Sequence, residues 1–193
     1  MRKHIAIIQG HPDPTSRHLL HAMAEAYAEG AAAGGHEVRS IEVAQLDFPL
    51  LRTQADFETG AVPPALAECQ VHMRWANHWV FFFPLWHGTM PALLKGFLEH
   101  IFRPGFAMEY TPGGLPKRLL AGRSARIVVT MGMPALMYRW YFGAYGVRGF
   151  ERSMLGFAGI KPVRESFCGL SFASERRRAH WIEDMRRHGM RGD

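Results

Sequence analysis

The chain has little cysteine, no long apolar run and no glycine-rich nucleotide loop. Cys69 and Cys168 are its two cysteines, and neither has a partner at metal-ligand spacing. That argues against a metal framework and fits reduced core thiols in a cytoplasmic setting. The longest apolar runs, such as Trp79-Val80-Phe81-Phe82-Phe83, fall far short of the roughly 20 residues that cross a bilayer. No membrane insertion is expected. Met1-Arg2-Lys3 leads straight into a strand pattern without a small-residue cleavage site, so no signal peptide is expected either. After the first apolar run Gly10 stands alone, where a dinucleotide fingerprint needs three glycines and a P-loop ends in Gly-Lys-Ser/Thr. Repeats, low-complexity segments and linkers are also missing.

What is present is enough for one full core. With 48% hydrophobic and 12% aromatic residues, positions 1–193 read as a single domain. Lysine and arginine (23) exceed aspartate and glutamate (17), for a net charge of +6. The arginines are dispersed, and the clusters Arg176-Arg177-Arg178 and Arg186-Arg187 are interrupted by Glu175, Glu183 and Asp184. No strand interleaves aromatic and basic residues, so nucleic acid is not an expected partner. A basic surface suits an anionic cofactor or substrate.

Apolar runs alternate with helical patterns. Ile5-Ala6-Ile7-Ile8 reads as a buried strand, and Thr15 to about Ala33 as a helix ended by Gly34-Gly35. Glu37 to Val43 alternates like an edge strand. Residues 47–62 read as a long loop, and Pro63-Pro64 open a helix to about Ala76. His78 to Phe83 is a bulky buried strand stopped by Pro84, followed by a helix from Ala92 to Phe102. A loop over 106–116 bends at Gly113-Gly114. Ser124 to Thr130 forms a fourth strand, a helix-rich insertion covers 131–159, Val163 to Leu170 forms a fifth strand, and a helix from Ala173 to His188 closes the chain. Such alternation predicts an α/β fold, a doubly wound five-stranded parallel sheet of order 2-1-3-4-5 in three layers. Ligands then sit beyond the carboxyl ends of strands one, three and four, so the loops at Gly10, Pro84 and Met131 carry the functional expectation.

Each of those loops has a plain reading beside a functional one. His11-Pro12-Asp13-Pro14-Thr15-Ser16 is stiffened by two prolines. Thr15 and Ser16 fall where a helix N-cap belongs, so their hydroxyls and the first-turn amides can receive a phosphate, with His11, Arg17 and His18 adding donors. A merely capped helix is the alternative. In Leu85-Trp86-His87-Gly88, backbone amides at the sheet edge can meet the polar edge of a flat heterocycle lying on Trp86. The alternative is an aromatic cap on the core. In Thr130-Met131-Gly132-Met133, Gly132 permits close backbone approach and Tyr138 offers a phenol at the mouth. Trp140 and Tyr141 read as interface or core residues.

The segment FPLWHGTMPALLKGFLEHIFRPGFAMEY resembles the signature of the NAD(P)H:quinone oxidoreductase family, flavoproteins of the flavodoxin-like type. HPDPTS is similar to that family's first phosphate loop, and TMGMPALMY to its third flavin loop. The resemblance implies a homodimeric flavoenzyme that passes hydride from NAD(P)H to a quinone-like acceptor, with FMN or FAD as cofactor. It places His11, Thr15, Ser16, Arg17 and His18 at the flavin phosphate and ribityl chain. Pro84, Leu85, Trp86, His87 and Gly88 border the isoalloxazine, and Thr130, Met131, Gly132 and Met133 its pyrimidine edge. Arg178 reaches an adenylate if one is present. Tyr138 and His87 are the candidate catalytic groups, and Met108 with Tyr110 line the acceptor side. Some relatives instead serve as ancillary subunits of membrane transporters, a second reading.

The chain also departs from the family pattern. Trp86 follows Leu85 where better-known members have a glutamine, and Ala144 stands where a proton-transferring histidine is found. Met131 and Met133 replace small polar residues. The acceptor and the proton route are therefore open.

Overall fold

The computed structural model describes residues 1–193 except Pro112, Leu115 and Ala173. Strand β1 (His4–Gln9) leads to helix α1 (Leu19–Ala33) and edge strand β2 (Glu37–Glu42). A short helix α2 (Gln54–Glu58) and α3 (Pro64–Trp75) precede β3 (His78–Pro84) and α4 (Ala92–Ile101). A small ribbon, β4 (Met108–Glu109) with β5 (Lys117–Arg118), separates α4 from β6 (Ser124–Met131). Then come α5 (Tyr145–Gly149), flanked by π-helical turns, β7 (Val163–Gly169) and α6 (Glu175–Arg191). Among the described residues no helix is long and apolar enough to cross a membrane.

The main sheet is parallel with the order β2-β1-β3-β6-β7. Without the ribbon this is the 2-1-3-4-5 order that the sequence pattern predicts. Side chains alternate between its faces as the pleat demands. Ile5, Ile7, Val80, Phe82 and Val128 pack beneath α1 and α6. Ala6, Ile8, Phe81, Phe83, Ile127 and Val129 pack on the other face with residues of α3 and α4. Helices α1 and α6 touch backbone to backbone: a Cβ on Gly30 would lie 2.0 Å from the Arg186 carbonyl oxygen, and one on Gly189 2.0 Å from that of Tyr27.

Several boundaries differ from expectation, each for a local reason. The long loop over 47–62 contains α2, because the Thr53 hydroxyl accepts the Asp56 amide at 3.0 Å and caps a short turn. Arg103, buried to 3%, donates to the Phe57, Asp56 and Gly60 carbonyls and fixes that segment to the body. Pro84 does not stop its strand but is its last member, opposite Thr130. A proline is tolerated there because the strand ends with it. The expected closing-helix start at Ala173 lies outside the described residues. The helix runs past His188 to Arg191, where Gly192 turns left-handed (φ 64°) and terminates it.

Candidate functional site

At the carboxyl end of β1 the chain turns on short-range hydrogen bonds. The Gly10 amide donates to the Phe82 carbonyl at 2.7 Å, and the Gln9 side-chain oxygen accepts the His11 amide at 3.1 Å. The Asp13 carboxylate accepts both the Thr15 amide (2.8 Å) and the Thr15 hydroxyl (2.7 Å), an Asx-turn. That turn engages Thr15, so helix α1 starts only at Leu19, with His18 as its N-cap. Thr15 and Ser16 are therefore not at the cap, contrary to the sequence expectation. The His18 ring stacks on His11 at 3.8 Å, and its Nε2 lies 2.8 Å from Asp13. Burial first, then the neighbouring His18 and His21, pushes the His11 pKa down to about 4. His11 is thus neutral at pH 7; its Nδ1 accepts the Asp13 amide at 3.2 Å, which puts the ring proton on Nε2. The hydrogen bond from His18, then that from Thr15, holds the Asp13 carboxyl well below the usual range.

Beyond β3, the Leu85 amide donates to the Thr130 carbonyl at 2.8 Å. Trp86 and Thr89 exchange two backbone hydrogen bonds of 2.9 and 3.0 Å, closing a two-residue hairpin over His87 (φ 48°) and Gly88 (φ 83°). Positive φ at both central residues is the type I′ arrangement. Histidine enters it more readily than a β-branched residue would. The Leu85 and Trp86 amides are accordingly taken up internally rather than presented at the sheet edge. The two turn bonds do not use those of His87 and Gly88. Trp86 is half exposed (51%), so it is a surface platform and not a cap on the core.

Tyr138 is not at the mouth. It is 1% exposed, and its hydroxyl donates to the Gly88 carbonyl at 2.9 Å. Burial raises its phenol pKa. Gly146 backs the same carbonyl, since a Cβ there would lie 2.2 Å from it. Tyr138→Phe is expected to lower stability by about 1 kcal/mol, the value of a buried hydrogen bond. Urea unfolding measures it, and an unchanged midpoint would mean that the phenol does not tether the turn.

The third loop leaves β6 through Thr130, Met131 and Gly132. It is tied to the exit of β7, as the Met131 carbonyl accepts the Ser171 amide (2.9 Å) and that of Met133 accepts the Leu170 amide (3.0 Å). A Cβ on Gly132 would lie 3.4 Å from the Phe172 ring, which is itself 92% exposed.

These exits surround one cavity of about 600 Å³. His11, Arg17 and His18 line it from the first loop, Pro84, Leu85 and Trp86 from the second, and Thr130, Met131 and Gly132 from the third. Arg178 of α6 also lines it. Thr15, Ser16, His87, Gly88, Met133 and Tyr138 do not line it. Sequence reasoning missed Leu19, Leu20, Ser171 and Phe172. The last two follow β7, the outermost strand, where the switch-point rule places no ligand; their nearness to Gly132 depends on register. Met108 and Tyr110 line a second, apolar cavity of about 580 Å³, with Thr89, Tyr145, Phe150 and Phe157 among its walls. Trp140 and Tyr141 are each 78% exposed, so they are not core residues.

The first cavity fits a phosphorylated flat heterocycle. Its volume is in the range of small-molecule sites. Its lining includes Arg178, His18, the neutral His11 and Arg17, which pairs with Glu25, together with the indole of Trp86 and the phenyl ring of Phe172. The chain matches the family model for a flavodoxin-like fold over residues 3–188. It is 30% identical over 173 residues to the ribosyldihydronicotinamide dehydrogenase-like protein traD of Penicillium crustosum, covering 75% of this chain and 62% of that protein. It is 32% identical over 88 residues to the FMN-dependent NADH:quinone oxidoreductase of Bordetella avium, covering 46% and 41%. To the human ribosyldihydronicotinamide dehydrogenase [quinone] it is 31% identical over 135 residues, covering 65% and 54%. The chain therefore spans between 41% and 62% of the length of these relatives. The solved NAD(P)H:quinone oxidoreductase from Methanothermobacter marburgensis superimposes with a TM-score of 0.79 at 21% identity, over 100% of both chains. An FMN-dependent NADH-azoreductase from Bacillus anthracis, in complex with FMN, gives 0.76 at 16% identity over 97% of each. At those identities the shared property is the fold.

Proposed function

The chain belongs to the flavodoxin-like fold family, and on that premise we propose that it is a flavin-dependent NAD(P)H oxidoreductase of quinones or similar acceptors. The observation that carries this reading is the cavity where the exits of β1, β3 and β6 converge, lined by arginine and histidine side chains together with Trp86 and Phe172. The FMN named for relatives supports FMN as the cofactor. A bound flavin would supply two-electron hydride chemistry between a reduced nicotinamide and the acceptor.

The chain's own residues would bind and orient. Arg17, Arg178 and His18 supply cationic or hydrogen-bonding contacts for a phosphate at the opening of α1, where the helix dipole also favours an anion. His11 adds a neutral donor through Nε2. Trp86 would offer a face for the ring system, and the Thr130 hydroxyl and the Gly132 backbone would be available to its polar edge. Tyr138 acts by position, holding the Gly88 carbonyl and with it the angle of the Trp86 turn. His87, exposed on that turn, is the histidine placed to exchange a proton with solvent.

The acceptor side is proposed to form between two copies of the chain. Met108 and Tyr110 stand in the second cavity, which shares Thr89 of the Trp86 turn, and Trp140, Tyr141 and Tyr145 expose large rings after the third loop. A homodimer would cover those rings and join the two cavities. A cytoplasmic location goes with this reading.

The test is an absorption spectrum after reconstitution with FMN and desalting, followed by anaerobic addition of NADH or NADPH. Flavin bands that bleach and then return with a quinone are expected. Flavin that stays bound without bleaching would favour the ancillary-subunit reading. Protein that loses all yellow colour on desalting would overturn flavin binding itself.

A further inference from the structure

The opposite, amino-terminal end of the sheet holds a small cavity of about 150 Å³. Strands β3 and β6 begin there, with His78 directly opposite Ser124. Lys3 precedes β1, and Arg164 of β7 and Asp193 close the sides. His78 is 2% exposed. Its Nδ1 lies 2.7 Å from the Ser124 hydroxyl, while its Nε2 is buried without a hydrogen-bond partner. A buried polar nitrogen left unpaired costs about 1–3 kcal/mol, so such an atom beside a cavity points to a bound partner. Burial first, then the charges of Lys3 and Arg126, pushes the His78 pKa down to about 3. The ring is neutral, and an anion at Nε2 would select the tautomer in which the Ser124 hydroxyl donates to Nδ1 and the ring proton sits on Nε2.

The surrounding charge selects the partner. Asp193 is the one carboxylate among the residues lining the cavity, and it is already shared. Arg164 pairs with it at 2.5 Å, His188 at 2.8 Å and the buried Arg126 at 3.4 Å. Lys3 Nζ donates to a neutral carbonyl, that of Gly192, at 2.7 Å. Among the described residues no carboxylate lies within ion-pair distance of that ammonium. Lys3, Arg164 and the unpaired His78 Nε2 thus border a space of several water volumes, and the Asp193 carboxylate beside them is engaged by Arg164, His188 and Arg126.

We propose that this cavity binds one small inorganic oxyanion of the phosphate or sulfate class, held by Lys3, His78 and Arg164. The anion would satisfy His78 Nε2, neutralise Lys3 and tie together the amino ends of β1, β3, β6 and β7. The site lies at the far end of the sheet from the cofactor cavity and does not depend on what that cavity holds.

Crystals of the FMN-saturated protein soaked in selenate are the direct test, because the anomalous signal reports position. A selenium peak within hydrogen-bond reach of His78 Nε2 and Lys3 Nζ is expected. In solution, sulfate should raise the melting temperature by about 3 °C over sodium chloride of equal ionic strength. Lys3→Gln, on a partly exposed side chain outside the strands, should fold normally and lose most of that rise. Water alone in the cavity would overturn the proposal, as would selenate found only beside His11 and Arg17. So would an equal rise in Lys3→Gln, or a selenate peak with no rise for the wild-type protein. Failure to retain FMN would count against the oxidoreductase reading and leave the result at this cavity unaffected.

Discussion

Gly30→Val is expected to destabilise the fold by about 3 kcal/mol or more, through overpacking against a surface that cannot yield. The added Cβ would meet the Arg186 carbonyl oxygen at 2.0 Å and its carbonyl carbon at 2.8 Å. Both are backbone atoms, so no rotamer change relieves the clash, and α1 must move away from α6. Separation would loosen Leu20, Met23 and Tyr27 from Trp181, Ile182 and Met185, the helical half of that core layer. Gly149→Ala is the control. An added Cβ there meets nothing within 4 Å, so it should be neutral or stabilise by up to about 1 kcal/mol, as alanine does in a helix. Urea unfolding of the two variants separates the cases, and equal midpoints would contradict the close helix contact.

His18→Glu should weaken FMN binding by about 100-fold or more. The change places a second carboxylate beside Asp13, 2.8 Å from His18 Nε2, and aims negative charge at the proposed phosphate. Like charges brought together cost several kcal/mol, and each 1.4 kcal/mol is about tenfold in affinity. It also removes the ring stacked on His11 and so disturbs both histidines of the loop. His18→Gln, uncharged and able to donate to Asp13, should lose less than about tenfold. Quenching of FMN fluorescence on titration gives the constants. Affinity of His18→Glu within threefold of wild type would remove this loop from the phosphate site.

The strand order and the three loops were legible because they depend on patterns of a few residues. Ile5 to Ile8 and Trp79 to Phe83 are continuous apolar runs, and buried parallel strands require such runs. The sequence pattern sets Thr15 and Ser16 at the cap because helical spacing begins beside them. The true start is decided by a competition that no periodicity displays: Asp13 captures the Thr15 amide and hydroxyl before the helix can. Tyr138 was misplaced for a similar reason. Its position in the loop is evident from sequence, but its inward direction follows from the turn at Gly88, whose carbonyl needs a donor. Phe172 is not legible because its neighbour Gly132 follows a different strand, and only the register of β6 with β7 brings the two loops together.

The two cavities have a combinatorial consequence. On the proposed reading each chain would carry one cofactor-binding half and one apolar half, and the pairing would combine halves from different copies. Two complete sites would then share four separable parts. A chain defective in its first loop could still lend Met108 and Tyr110 to a neighbour whose own apolar wall is damaged. One sound site would survive from two broken polypeptides, a form of redundancy unavailable to a chain that keeps all its chemistry in one cleft.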